Sequence, residues 1–124
     1  MNYSLLSEWV KENSDFSGSV ESCYLLPEIV IFTLKGGEKL CFVLSNRDSF
    51  IYFDNSRLDL SEAKSIWQNL KNSRIDNLRI AEQDRIIYFN LSHQDIYQQN
   101  HTYILVAELM MPQPNLIFCN SKMQ

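Results

Sequence analysis

Two apolar runs separated by a pair of glycines constrain this chain most. Ile29 to Leu34 is unbroken apolar and β-branched sequence, Lys39 to Leu44 is a second such run, and Gly36-Gly37 lies between them. Glycine takes positive φ without a Cβ clash, so the pattern predicts an antiparallel hairpin closed by a tight turn. Val20 to Leu26 reads as the strand before it, ended by Pro27, and Ser49 to Phe53 as the strand after it, closed by Asp54-Asn55.

The rest of the chain alternates between the two periodicities. From Tyr3 to Asn13, Leu5, Leu6, Trp9 and Val10 recur at helical spacing opposite Glu8, Lys11 and Glu12, which predicts an amphipathic opening helix. Asp59 followed by Glu62 has capping-box spacing, and Leu60, Ala63, Ile66, Trp67 and Leu70 then trace one face, predicting a second helix to about Lys71. Arg74 to Ile80 and Arg85 to Leu91 read as strands joined by a bend at Gln83-Asp84. The polar stretch Ser92 to Asn100 reads as a long exposed connection, followed by a strand over Thr102 to Met111, an interruption at Pro112 and Pro114, and a resumption over Asn115 to Cys119. The sum is an α+β fold of two helices and about eight mainly antiparallel strands, since sequence neighbours pair most readily.

Composition limits the function classes. At 124 residues, 45% of them hydrophobic, the chain fits one domain, 1–124. A formal charge of −4 gives no global cationic field for a phosphate backbone, so any nucleic-acid contact must be local. Cys23, Cys41 and Cys119 are odd in number and set among apolar neighbours, which suits buried reduced thiols. His93 and His101 read as surface histidines rather than zinc ligands, so neither a metal nor a cofactor is expected. The sequence shows no basic segment leading an apolar run near Met1 and no stretch long enough to span a bilayer, and the expected compartment is the cytoplasm.

Three stretches, in order, carry a family resemblance. They are the opening helix with the hairpin Ile29 to Leu44; Leu70, Arg74-Ile75 and the run Asp84-Arg85-Ile86-Ile87-Tyr88-Phe89; and Tyr103 to Met110 with Asn115 to Phe118. Together they resemble the N-terminal domain of the NFACT family, which is RqcH/NEMF-like and is also named the fibronectin-binding protein A family. The resemblance implies a fold similar to the N-terminal domain of formamidopyrimidine-DNA glycosylases, and a fragment of a longer protein. It does not carry their chemistry: those enzymes use an N-terminal proline amine with a neighbouring glutamate, whereas this chain begins Met1-Asn2-Tyr3. It also departs from the family where relatives have basic residues, with Ile66-Trp67-Gln68-Asn69-Leu70 at one helix end and Met111-Pro112-Gln113-Pro114-Asn115 in place of a Gly-Arg segment.

The resemblance implies a non-enzymatic module of ribosome-associated quality control that binds tRNA, alanyl-tRNA in the family, and the large ribosomal subunit carrying peptidyl-tRNA. The alternative implied by the second family name is an adhesin for fibronectin or fibrinogen. Asp84 and Arg85 match the family's tRNA-binding pair; a guanidinium forks onto phosphate or stacks on a base, and a carboxylate accepts from a base or a ribose hydroxyl. The plainer reading is that Asp84 shapes the bend and Arg85 makes a surface ion pair. Glu108, within an apolar strand, matches the family's Glu and otherwise points to solvent by strand alternation. Arg74 and Asn115 are supporting candidates. With Arg79, Lys64 and Lys71, Arg74 makes either a basic face or an ordinary solvated one. Phe50, Tyr52, Phe53, Tyr88 and Phe89 are stacking platforms only if they are not core.

Overall fold

The computed structural model describes residues 2–82, 84–110 and 113–120. It opens with helix α1 (Tyr3–Glu12). Asn2 caps it by accepting the Leu5 N–H at 2.9 Å. Leu6 and Val10, one turn apart, are buried. Trp9 reaches further along that face and stacks on Phe53 with ring centroids 5.5 Å apart. The predicted opening helix is therefore present, and its apolar stripe holds it on the sheet.

Among the described residues nine strands follow: β1 (Gly18–Leu26), β2 (Ile29–Leu34), β3 (Lys39–Leu44), β4 (Ser49–Asp54), β5 (Lys64–Ile66), β6 (Arg74–Ile80), β7 (Ile86–Gln94), β8 (Asn100–Glu108) and β9 (Asn115–Asn120). All the pairings are antiparallel, in the order β4-β3-β2-β1-β6-β7-β8-β9, with β5 also on β1. The α+β, mainly antiparallel class expected from the sequence holds. Gly36 and Gly37 turn the β2–β3 hairpin at φ 102° and 92°, as their position between the two apolar runs demands.

Strand β1 serves two meanders. Its second half pairs with β2 on one side and β5 on the other, while Gly18 and Ser19 pair with Ile75 and Arg74 of β6. The two meanders face each other across the core. Phe42 of β3 meets Phe89 of β7 edge-on at 5.5 Å, both fully buried. At one end the Ser49 hydroxyl donates to the Leu109 carbonyl at 2.9 Å, joining the start of β4 to the residue after β8. Alternation places Leu105, Ala107 and Leu109 in the core together with Ile87, Phe89 and Leu91 of β7, with Ile87 opposite Ala107 and Phe89 opposite Leu105.

Two sequence expectations are corrected. The predicted second helix does not form. Asp59 instead closes a local turn by accepting the Ser61 N–H at 3.0 Å, Lys64–Ile66 joins β1 as a strand, and only Gln68–Leu70 makes a single 3₁₀ turn. The free edge of β1 captures a segment whose periodicity is too short to hold a helix against it. Nor is Ser92 to Asn100 a long irregular connection. β7 and β8 extend through it as a hairpin arm, with His93 opposite His101 and Gln94 opposite Asn100. Polar residues pair there because the arm extends beyond the core and has no apolar face to bury. Of the other boundaries, Gln83, Met111 and Pro112 lie outside the described residues.

Candidate functional site

The start of β7, the end of β8 and the start of β9 form one rim of the sheet. Ile86 lies opposite Glu108, and Glu108 opposite Asn115. Arg85 stands just before β7, and its carbonyl accepts the Leu109 N–H at 2.8 Å. On the other side Ala81 N–H donates to the Ile86 carbonyl at 2.9 Å. The backbone carrying Arg85 is therefore fixed on both flanks by ladder-like bonds, although Arg85 lies in the bend. Asp84 is exposed in that bend.

The structure thus gathers four of the five candidate residues, Asp84, Arg85, Glu108 and Asn115, at one end of the sheet. Asp48, in the turn before β4, lies within electrostatic range of Arg85 and adds a further carboxylate. The half-buried Glu108 is on the face away from the core, as strand alternation allows. The Asn115 side chain accepts its neighbour's N–H, from Leu116, at 2.9 Å. A rim with one guanidinium among three carboxylates does not form a phosphate-binding field. It can accept hydrogen bonds from base amino groups and ribose hydroxyls while one guanidinium forks onto a single anion.

Arg74 is not part of this rim. It starts β6 at the opposite end, six residues from Ile80 and so roughly 20 Å away along the strand. There its guanidinium pairs with Asp76 at 3.6 Å. Arg79 lies over the Tyr88 ring, 4.3 Å from its centroid. Arg74 and Arg79 thus each engage a partner of their own, an aspartate and an aromatic ring. Among the aromatic candidates, Phe89 is core and Phe53 packs between Trp9 and Phe16, whereas Phe50 and Tyr52 contact each other at 5.7 Å.

Two of the three thiols, Cys23 and Cys41, are buried as the sequence suggests, whereas Cys119 on the last strand is only half-buried. Cys23 is buried, and burial pushes its thiol up to about 12; burial also raises Cys41. Neither is a nucleophile near neutral pH. Among the described residues no group of His, Cys, Asp and Glu is arranged to hold a metal ion. One detail differs: His101 is not isolated, because its Nε2 meets the Asp95 carboxylate at 2.9 Å across the hairpin arm.

Sequence reasoning missed a second feature. A cleft of about 340 Å³ lies where β1 parts from β6 to take up β5, lined by Glu21, Ser22, Cys23, Ser65, Ile66, Trp67, Gln68 and Lys71. It depends on the pairing of Cys23 with Ile66, which no local pattern announces.

No family model matches the chain, and no curated protein matches it in sequence. Solved structures do match it in fold. The N-terminal domain of the fibronectin-binding protein PavA from Streptococcus pneumoniae aligns over 95% of this chain and 51% of its own, with a TM-score of 0.80 at 14% identity. The N-terminal part of the fibronectin/fibrinogen-binding protein from Streptococcus suis aligns over 96% and 48%, with a TM-score of 0.75 at 14% identity. The fibrinogen-binding protein from Staphylococcus aureus aligns over 94% and 46%, with a TM-score of 0.74 at 14% identity. The chain spans about half the length of these structures and shares their fold.

Proposed function

We propose that this chain is an RNA-facing, non-catalytic module of the NFACT type that acts in the cytoplasm, holding tRNA on a large ribosomal subunit obstructed by peptidyl-tRNA. The observation that carries the reading is the rim. Asp84 and Arg85, from one stretch of sequence resemblance, and Glu108, from another, meet at one end of β7 and β8 on a fixed backbone. The fold shared with the N-terminal domains of fibronectin- and fibrinogen-binding proteins agrees with the alternative name of that family. Because the rim is acidic apart from Arg85, its contacts are few and directional, and their salt dependence is shallow.

The test is co-sedimentation with large ribosomal subunits in lysate at low and moderate salt. Wild type sediments with the subunits, and Arg85→Ala weakens association by about 10- to 100-fold, the range for losing a charge-assisted hydrogen bond. Unchanged association of a folded Arg85→Ala removes the rim from the contact. A second reading, adhesion to fibronectin or fibrinogen, is favoured by the names of the structural neighbours. Saturable wild-type binding to immobilised fibronectin, together with no ribosome association, selects it.

A further inference from the structure

We infer that the cleft between β1, β5 and the 3₁₀ turn binds an unpaired purine nucleotide, with guanine preferred; this deepens the RNA reading and rests on it. Two backbone irregularities converge there. Glu21 is the extra residue of a bulge between Val20 and Ser22, where the register of β1 against β2 shifts. Trp67 is left-handed at φ 47° and ψ 51°, a conformation that a bulky aromatic residue adopts only under constraint. Bulges re-aim side chains beside sites, and strained residues of this kind concentrate at ligand-binding positions.

The lining supplies each element needed for a nucleotide. The indole of Trp67 packs perpendicular to Phe32 and tilted against Phe118, at 6.1 and 6.2 Å between centroids, while the half-buried ring also lines the cleft. It is therefore a platform backed by the core, on which a base stacks without the ring first having to be ordered. Glu21 contributes an exposed carboxylate, Gln68 an amide, Ser65 a hydroxyl and Lys71 an exposed ammonium. A carboxylate accepts from the adjacent N1–H and N2–H donors of guanine. Adenine presents an acceptor at N1 instead, which the carboxylate repels. Lys71 is left for the phosphate. At about 340 Å³ the cleft lies at the low end of the ~300–1,000 Å³ typical of small-molecule sites, enough for one nucleotide and not for a duplex.

The test is a ¹⁵N-NMR titration of the 124-residue chain with GMP and, separately, AMP, following the Trp67 indole N–H and the amides of Glu21, Gln68 and Lys71. GMP shifts these signals, and AMP binds about tenfold more weakly or worse, as one lost bidentate pair requires. Glu21→Gln, on an exposed bulge where the fold does not depend on the charge, erases the preference while leaving distant resonances in place. No shift at roughly 10 mM GMP, where even millimolar affinity is largely saturated, overturns the inference. So does an equal response to AMP, or a preference that survives Glu21→Gln. Ribosome association that persists while the cleft ignores GMP defeats this inference alone. GMP binding by a chain that never associates with ribosomes defeats the ribosomal reading alone.

Discussion

Glu28 gives the sharpest test of how the backbone is held. It follows Pro27 in the two-residue turn between β1 and β2, where Leu26 pairs with Ile29, and it sits at φ 64°. A left-handed L-residue costs about 1–2 kcal/mol from the contact of Cβ with the carbonyl oxygen. Glycine relieves that strain and adds about 0.5–1 kcal/mol of unfolded-chain entropy in return. The Glu28 side chain is exposed, and the bond its backbone makes, accepting the Leu44 N–H at 2.7 Å, survives the substitution. Glu28→Gly therefore stabilises the fold by about 0.5–1 kcal/mol. With a urea slope of about 2 kcal/mol/M, the midpoint rises by about 0.3–0.5 M at unchanged slope. Glu28→Val puts a β-branched residue in the same conformation and lowers the midpoint by a similar amount or more. A lower midpoint for glycine, or a valine variant as stable as wild type, would refute the assignment of strain to this turn.

Two further perturbations probe the core and the hairpin arm. Phe89→Ala opens a cavity beside Phe42 and costs about 3–5 kcal/mol, while Phe89→Leu costs about 1–1.5; a thermal-unfolding loss below about 1 kcal/mol for alanine would contradict the packing of one meander on the other. The Asp95 carboxyl is held below its usual 3.8, first by the His101 ring and then by the backbone N–H groups of Gln99 and Tyr97. Its contribution is therefore present above 3.8 and is lost as pH falls through the lowered value. Amide-exchange protection of Tyr97 and Gln99 is expected to drop in wild type as pH falls below 3.8, and Asp95→Asn removes that pH dependence. Protection that survives full acid titration of the carboxylate would exclude it as the source.

The parts of the fold legible in the sequence are those whose partners are close in the chain. Gly36-Gly37 specified a turn because only glycine fits it cheaply, and Leu6, Trp9 and Val10 specified a helix face because their spacing is local. The segment from Asp59 to Leu70 misled because its spacing suits a helix and the decisive interaction lies far off, in the unpaired edge of Cys23 to Leu25. Ile66 and Trp67 still reach the core, but from a strand end and a left-handed residue rather than a helix face. The rim was legible as residues and not as a place. Asp84, Arg85, Glu108 and Asn115 come together through the β7–β8–β9 register, and Arg74 drops out because antiparallel pairing sends it to the opposite end. The cleft had no local sequence signal, since it is framed by a register shift of β1 against β2 and by the long-range pairing of β1 with β5.

The membership of β1 in both meanders has a mechanical consequence. In a sandwich whose layers are joined only by loops, one layer can slip past the other while both stay intact. Here the strand that anchors one layer enters the other: Val20 exchanges backbone hydrogen bonds with Ser73 and Asn72 at 2.7 and 2.8 Å, three residues before Cys23 pairs between Phe32 and Ile66. Sliding by one residue would turn both Val20 and Cys23 out of the core. A slip in the register of either meander would therefore be felt in the other, through the one strand that both share.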